Sequence, residues 1–404
     1  MKKSTVNEKM YALGAKSSVI REIFEYGNKR KAEIGAENVF DFSLGNPSVP
    51  APSIVNETMM KLISERESVK LHGYTSAPGD LGVRRAIADY INANYNAGAS
   101  ASDIYMKVCA AASLTVSLNA LLLPGEEVIA IAPFFPEYRV FVEKAGGALK
   151  VVKSKWDDFQ LDFDELENAI NEKTKAIIIN SPNNPSGAVL TVETIKRLAE
   201  LLEKKQKEYG TAIYIISDEP YRELVYGDVE VPYITNYYDN TVVCYSFSKS
   251  LSIPGERIGY IFVSPKADSA KEVYLAVCGA GRALGFVCAP ALFQYIIPEC
   301  LGKTSDVSIY KKNRDLLYGA LTEYGYTSVH PDGAFYLFLK SPEPDASAFC
   351  ERAKKYELLL VPSDSFGVEG YVRISYCVTT EQIERALPAF KALAEEYNLS
   401  GEEK

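Results

Sequence analysis

The chain has 404 residues, and its 47% apolar and 24% charged residues are typical of a globular protein, which excludes disordered, collagen-like and coiled-coil chains. This length favours two domains rather than one. A net charge of −9 argues against broad binding to nucleic acids or anionic membranes, because phosphate groups repel an acidic surface.

The middle of the chain alternates strand-like and helix-like segments. Several strand-like runs are continuously apolar, as expected for strands that are buried on both faces. The predicted strands are residues 104–108, 127–131, 149–152, 175–180, 212–217, 241–246 and 258–263. Helix-length segments at 113–123, 136–145 and 191–209 lie between them. This alternation predicts an α/β fold with a mainly parallel sheet.

The two ends of the chain have a different pattern, in which helical segments dominate. The C-terminal part has helical patterns at 306–324, 346–356 and 380–397 and short strand-like runs at 334–339 and 371–377. We expect a large domain over residues 48–290. Residues 1–47 and 291–404 are expected to form a smaller α+β domain together.

Residues that bear chemistry follow the predicted strands, where ligands of open α/β sheets bind. They include a small-residue run at 109–113, Phe134 and Phe135, an Asn-Asn-Pro-Ser-Gly run at 183–187, an Asp-Glu-Pro-Tyr run at 218–221 and a Ser-Phe-Ser-Lys run at 246–249. A helix start, an aromatic ring, an amide, a carboxylate, a phenol and an amine thus meet at one sheet edge. This set suits a flat, charged, phosphorylated heteroaromatic ring.

Metal and disulfide chemistry is not expected in this chain. The seven cysteines form no C-x-x-C pair, and the chain has only two histidines, so neither a disulfide framework nor a Cys/His zinc site is predicted. No apolar signal-peptide core follows Lys2 and Lys3. We therefore expect a cytoplasmic protein with reduced thiols and without membrane spans.

Residues 246–259, with the sequence SFSKSLSIPGERIG, resemble the pyridoxal-phosphate attachment motif of class I aminotransferases in the aspartate aminotransferase superfamily. The resemblance extends from Leu-Gly-Asn-Pro at 44–47 to Val-Arg-Ile-Ser at 372–375. It implies the fold type I of pyridoxal-phosphate (PLP)-dependent transferases, with a mainly parallel seven-stranded sheet, helices on both of its faces and a smaller α+β domain. It also implies PLP as the cofactor and a homodimer with shared active sites.

The resemblance assigns roles around the cofactor ring. Lys249 matches the lysine that holds the cofactor as a Schiff base and moves protons. Asp218 matches the carboxylate that pairs with the ring nitrogen, while Tyr221 and Asn184 match donors to the ring hydroxyl. Phe135 matches the aromatic residue that stacks on the ring, with Phe134 as the competing candidate.

The resemblance also assigns roles around the cofactor phosphate. Backbone N–H groups near Ala111 and Ala112, at the start of a helix, are expected to bind this anion. The expected side-chain donors are Ser246, Ser248 and Arg257. Tyr74 matches a tyrosine that reaches the phosphate from the partner subunit.

Arg373 matches the arginine that binds the substrate α-carboxylate, assisted by Asn184 and the backbone at Gly45. Arg282 lies roughly where relatives that act on acidic substrates have a partner-chain arginine for the distal carboxylate. Another subgroup uses a lysine for this purpose at the position that Ala111 occupies here. The identity of the substrate side chain is therefore open.

The resemblance implies a ping-pong aminotransferase that exchanges the amino group of an L-amino acid with 2-oxoglutarate. Aspartate is the default donor, followed by aromatic amino acids or alanine. A carbon–sulfur β-lyase on the same fold is the main alternative, and a PLP-sensing regulator is disfavoured because no DNA-binding extension precedes the core. The glycine-rich run at 279–285 lacks the spacing and the preceding strand of a dinucleotide fingerprint, so a nicotinamide-dependent dehydrogenase is also disfavoured.

Overall fold

The computed structural model describes residues 5–15 and 18–399 of the chain. The strands are β1 (Phe40–Asp41), β2 (Ile104–Lys107), β3 (Glu127–Ala132), β4 (Ala148–Lys153), β5 (Thr174–Asn180), β6 (Tyr214–Asp218), β7 (Thr241–Ser246), β8 (Gly259–Val263), β9 (Tyr336–Lys340), β10 (Leu358–Leu359), β11 (Val361–Pro362) and β12 (Tyr371–Ser375). The helices are α1 (Glu8–Ala15), α2 (Val19–Ile34), α3 (Ser53–Glu65), α4 (Ser68–His72), α5 (Leu81–Tyr95), α6 (Cys109–Leu121), α7 (Glu137–Lys144), α8 (Phe163–Ala169), α9 (Val192–Tyr209), α10 (Phe247–Ser250), α11 (Ala270–Ala283), α12 (Ala291–Cys300), α13 (Val307–Glu323), α14 (Ala346–Ala353) and α15 (Thr380–Glu396).

A seven-stranded sheet with the order β2-β8-β7-β6-β5-β3-β4 forms the centre of the structure. Only β8 runs antiparallel to its two neighbours in this sheet. All seven strands predicted between residues 104 and 263 are present with ends within two residues of the prediction. The prediction of a mainly parallel sheet is therefore confirmed.

Helices cover both faces of this sheet. The side chains of strand β5 show why such a strand needs a continuously apolar sequence. Ala176 and Ile178 point into the core beneath α6, whereas Ile177 and Ile179 point into the core beneath α9. Side chains alternate across a strand, so a strand buried on both faces needs an apolar residue at every position.

A second core lies at the C-terminal part of the chain. Strands β11, β12 and β9 form an antiparallel sheet that packs against α13, α14 and α15. Strand β1 pairs in parallel with β10, which ties the N-terminal part of the chain to this region. Helix α12 packs beside α3 and α5 at the large sheet. The domain limits at 47/48 and 290/291 stay a prediction.

Two further findings concern single helices. Helix α6 begins at Cys109, four residues before the predicted start at 113, so the small residues that follow β2 are already helical. Within the described ranges, none of the helices combines the length and the apolar character that crossing a bilayer requires.

Candidate active site

The carboxyl ends of β5, β6 and β7 open into a cleft of about 270 Å³, which the second sheet closes from the other side. Strand β6 ends at Asp218, and Lys249 lies in the short helix α10 directly after β7. The Ser246 hydroxyl caps this helix by accepting a hydrogen bond from the Ser248 N–H. Eleven of the predicted site residues line the cleft, namely Gly45, Ala111, Phe135, Asn184, Asp218, Tyr221, Ser246, Ser248, Lys249, Arg257 and Arg373.

The Lys249 amine lies inside the cleft and donates a hydrogen bond to the Gly45 carbonyl oxygen over 2.6 Å. Its pKa is lowered from 10.5 to about 8, chiefly because burial disfavours the charged amine. The Cys377 thiol acts in the opposite direction, and the Arg257 and Arg373 charges lower the pKa further. A substantial fraction of this amine is thus unprotonated, and nucleophilic, just above neutral pH.

The Asp218 carboxylate is buried at the floor of the cleft. Its Oδ2 atom accepts a hydrogen bond from the Tyr138 hydroxyl over 2.6 Å, and Asn180 Nδ2 donates to its backbone oxygen over 2.9 Å. Burial raises its pKa to about 7, which the Tyr138 hydrogen bond opposes and the Glu219 charge reinforces. The Oδ1 atom has no hydrogen-bond partner in the described chain. A buried acceptor without a donor fits the protonated ring nitrogen of the cofactor.

Two tyrosine hydroxyls meet on the wall of the cleft next to Asp218. The Tyr221 and Tyr336 oxygens lie 2.9 Å apart, and both side chains are buried. Asn184 is fixed nearby, because its N–H donates to Asn180 Oδ1 over 2.8 Å. Tyr221 and Asn184 therefore line the same cleft as Asp218, and their role as donors to the ring hydroxyl stays a prediction.

The Arg373 guanidinium is 2% exposed and makes no ion pair within the described residues. Its Nη1 atom donates to Asn184 Oδ1 over 3.2 Å and its Nη2 atom to the Ser43 carbonyl oxygen over 2.5 Å, while Nε has no partner in this part of the chain. Burial lowers its pKa. Because a buried guanidinium without a carboxylate is costly, this site fits an incoming carboxylate that it can bind with two parallel hydrogen bonds.

The start of α6 lies next to the Arg257 side chain. The backbone of Cys109 has a φ of 71°, a value that residues other than glycine rarely adopt. The Cys109 thiol contacts Arg257 Nη2. Arg257 Nη1 also donates to the Pro254 carbonyl oxygen over 2.8 Å. The start of α6, Ser246, Ser248 and Arg257 line the same cleft, and their N–H and O–H groups fit a phosphate.

Phe135, and not Phe134, lies in the cleft. Phe135 is half-buried and contacts the edge of Tyr138, with ring centroids 5.7 Å apart. Phe134 is 3% exposed and packs in the core between the sheet and α6. Phe135 is thus the ring available for stacking on the cofactor.

Three predicted site residues lie outside the cleft of their own chain. Ala112 is buried in α6, whereas Tyr74 is 94% exposed and Arg282 lies on the exposed side of α11. The roles of Tyr74 and Arg282 depend on a partner subunit and stay predictions. Gly279 and Gly281 lie inside α11, so the strand–turn–helix of a dinucleotide site is not formed there.

Sequence reasoning missed Tyr138, Asn180 and Tyr336. The sequence positions of Asn180 and Tyr138 could have indicated that they lie at the site. Asn180 is the last residue of β5, and Tyr138 lies in the first turn of the helix after β3. Tyr336 begins β9, which is far from the cofactor motif in the sequence. Its contact with Tyr221 spans 115 residues, so no local pattern points to it.

Comparison with known proteins agrees with this geometry. The sequence profile of the family described as aminotransferase class I and II matches residues 37–390. Aspartate aminotransferase of Thermotoga maritima is 32% identical over 375 residues, which cover 91% of this chain and 95% of that protein. Aromatic-amino-acid aminotransferase 2 of Thermococcus litoralis is 28% identical, with 95% of this chain and 97% of that protein covered.

Solved structures are similar over nearly the whole chain. An amino transferase from Eubacterium rectale has a TM-score of 0.96 at 56% identity, covering 98% of this chain and 100% of that chain. These similarities confirm the predicted fold type I of PLP-dependent transferases. This chain belongs to the family of class I and II aminotransferases, which are PLP-dependent enzymes.

Proposed function

We propose that this chain binds PLP covalently through Lys249 and transfers the amino group of an L-amino acid to a 2-oxo acid in a ping-pong reaction. The resemblance implies aspartate and 2-oxoglutarate as the default pair. One observation supports the proposal: a single cleft holds an amine with a pKa of about 8, a buried carboxylate oxygen and a buried guanidinium. Among residues 5–15 and 18–399, that oxygen has no hydrogen-bond donor and that guanidinium pairs with no carboxylate.

The residues around Asp218 would hold the cofactor ring. When bound, PLP supplies an electron sink for the negative charge that develops at the substrate Cα. Asp218 Oδ1 would accept a hydrogen bond from the protonated ring nitrogen, and the Tyr138 hydrogen bond favours the ionised form of this carboxylate against the effect of burial. Tyr221 and Asn184 would donate to the ring hydroxyl, and Phe135 would stack on the ring face.

The start of α6 would hold the phosphate. Its free backbone N–H groups and the positive end of the helix dipole favour an anion there. Ser246, Ser248 and Arg257, which line the same cleft, would add side-chain donors. The partner's Tyr74 would complete this site in a homodimer, and the 94% exposure of Tyr74 in the single chain supports that arrangement.

Arg373 and Lys249 would act on the substrate. The Arg373 fork binds the α-carboxylate and so fixes the orientation of the Cα–H bond. Once the substrate amine has taken its place on the cofactor, the free Lys249 Nζ would take the proton from Cα as a general base and give it back as a general acid. Residues 43–45 contact both groups. The Ser43 carbonyl oxygen accepts a hydrogen bond from Arg373, and the Gly45 carbonyl oxygen accepts one from Lys249.

A panel of amino donors tests this proposal. Purified holoenzyme is mixed with each L-amino acid in the absence of an acceptor, and the visible absorption of the cofactor is followed. We expect stoichiometric formation of the 2-oxo acid and return of the original spectrum when an acceptor is added. Repeated pyruvate and ammonia release without an acceptor would instead identify a β-lyase. A cytoplasmic location stays a prediction.

A further inference from the structure

Tyr336 lines the cleft but has no role in the proposed mechanism. It begins β9 and is 2% exposed. Its hydroxyl oxygen lies 2.9 Å from that of Tyr221, and the two rings meet edge to face with centroids 5.7 Å apart. Among the described residues, neither hydroxyl has a second hydrogen-bond partner. The Tyr336 hydroxyl therefore acts on the cleft through Tyr221.

The ring of Tyr336 also contacts Arg373. Strands β9 and β12 pair antiparallel, with Tyr336 opposite Ser375 and Phe338 opposite Arg373. Residues opposite one another share a face of the sheet, so Tyr336 and Arg373 are diagonal neighbours on one face. The Arg373 guanidinium carbon lies 4.8 Å from the centre of the Tyr336 ring, which is within the range of a cation–π contact. One side chain thus contacts both Tyr221 and Arg373.

The two phenols share a single bridging proton. Burial raises the pKa of Tyr336 to about 12, against the effect of the Arg373 charge, and it also raises the pKa of Tyr221, so both hydroxyls are protonated at neutral pH. One of these protons lies between the two oxygens, and the other points away from the pair. The Gly45 α-carbon, which accepts no hydrogen bond, packs against the Tyr336 hydroxyl, because a Cβ at this position would overlap it.

We infer that Tyr336 is a positioning residue for amino transfer: its hydroxyl donates to Tyr221 and so directs the Tyr221 proton into the cleft, toward the ring hydroxyl of the cofactor. This inference rests on the proposed function. A phenol that accepts a hydrogen bond is itself a stronger donor, because hydrogen bonds in a chain polarise one another. The Tyr336 ring would in addition hold the Arg373 guanidinium in place for the α-carboxylate.

The pH dependence of the visible spectrum of bound cofactor tests the direction of this hydrogen bond. Tyr336→Phe keeps the ring and removes the hydroxyl, so Tyr221 becomes a weaker donor. More negative charge then stays on the ring oxygen, which favours the protonated form of the Schiff base beside it. We expect the midpoint of the spectral change to rise by about 0.5 on the pH scale, as for the loss of one ordinary hydrogen bond. An unchanged midpoint would overturn the inference. A lower midpoint would overturn it as well, by showing that Tyr221 donates to Tyr336.

A second comparison separates this role from general packing. In a Tyr221→Phe background, Tyr336→Phe should leave the midpoint unchanged, because its effect passes through the Tyr221 hydroxyl. Tyr326→Phe is the matched control, since Tyr326 is buried in the same core and donates to the Phe390 carbonyl oxygen over 3.0 Å. It should also leave the midpoint unchanged. A shift of the full size in the Tyr221→Phe background or in Tyr326→Phe would overturn the inference.

Kinetics of the holoenzyme separate the hydroxyl of Tyr336 from its ring. Tyr336→Phe retains the contact with Arg373 and should lower kcat about 3- to 10-fold with little change in KM. Tyr336→Leu removes both contacts and should raise KM as well. A KM that rises equally in both variants would overturn the assignment of separate roles.

Failure of this inference can be told apart from failure of the proposed function. A normal half-reaction in the unmodified protein, together with an unshifted midpoint in Tyr336→Phe, would overturn the inference alone. If the unmodified protein formed no Schiff base and converted no donor, the proposed function and the inference would both be overturned.

Discussion

The Tyr138 hydroxyl donates a hydrogen bond of 2.6 Å to Asp218 Oδ2, and the other carboxylate oxygen has no hydrogen-bond partner among the described residues. Tyr138 is held in the first turn of α7, and its ring packs against Phe135. Burial raises the pKa of Asp218 to about 7, and this hydrogen bond is the contact that opposes the rise. The hydrogen bond therefore favours the charged form of Asp218 against burial, and a cationic partner at the other oxygen would favour it further.

Tyr138→Phe should weaken catalysis without removing the active site. Loss of one hydrogen bond to a charged group costs about 1 to 2 kcal/mol, so kcat should fall about 5- to 30-fold. The pKa of Asp218 should rise, and the pH at which the bound cofactor changes its visible spectrum should shift with it. Tyr237→Phe, outside the cleft, is the control. A loss of kcat without any spectral shift would mean that Tyr138 acts only through packing.

Lys249→Ala should abolish amino transfer and leave the fold intact. The side chain supplies both the covalent link and the proton transfer, and no other lysine lines the described cleft. Turnover is measured in the donor panel, and circular dichroism reports the fold. Lys196→Ala, on the exposed face of α9, should retain full activity. Retained transamination in Lys249→Ala would refute the assignment of the reacting amine.

Arg373→Ala should mainly raise KM and lower kcat/KM. Removing a bidentate, charge-assisted contact costs about 2 to 4 kcal/mol, which corresponds to about 30- to 1000-fold in kcat/KM. Arg373→Lys keeps the charge without the fork and should recover only part of the loss. Arg352→Ala removes an arginine that pairs with Glu396 on the surface and serves as the control. Steady-state kinetics with the best donor would show the effect, and an unchanged KM would contradict it.

Capture of PLP by the apoprotein should depend on pH with a midpoint near 8. The folded protein lowers the pKa of Lys249 from 10.5 to about 8, so the reactive amine is lost below this value and fully present above it. Rates of the absorbance change between about pH 6.5 and 9.5 give the midpoint. Because the Arg373 charge contributes to the lowering, Arg373→Gln should move the midpoint upward. A midpoint near 10 in the unmodified protein would contradict the prediction.

Mixed dimers can show whether Tyr74 acts in the partner's site. Tyr74→Ala alone and Lys249→Ala alone should each weaken or abolish activity in both sites of a homodimer. A hybrid of the two variants combines, in one site, an intact Lys249 with an intact Tyr74 from the other subunit. We expect about half of the normal activity in purified hybrids, with normal PLP affinity at that site. Hybrid activity no higher than that of Tyr74→Ala would place Tyr74 outside the shared site.

The sequence by itself determined the large sheet and the residues at its edge. Continuous apolar runs such as that of β5 can be buried only on both faces, so their number and order predict a parallel sheet with helices on each side. The carboxyl ends of parallel strands meet at one edge. Asp218 ends β6 and Lys249 follows β7, so the order of the strands already predicts that the two residues lie near each other.

The tertiary structure alone decided how these groups are paired. Lys249 contacts Gly45, which is 204 residues away in the sequence, and Arg373 contacts Ser43, which is 330 residues away. Both contacts form because residues 43–45 lie between the second core and the edge of the large sheet. The packing of α6 and α7 decides that Phe135 lies in the cleft and Phe134 in the core. The sequence around the two residues does not indicate which ring lies in the cleft. Hydrophobic periodicity reports which side of an element is buried, but it carries no information about which distant segment covers that side.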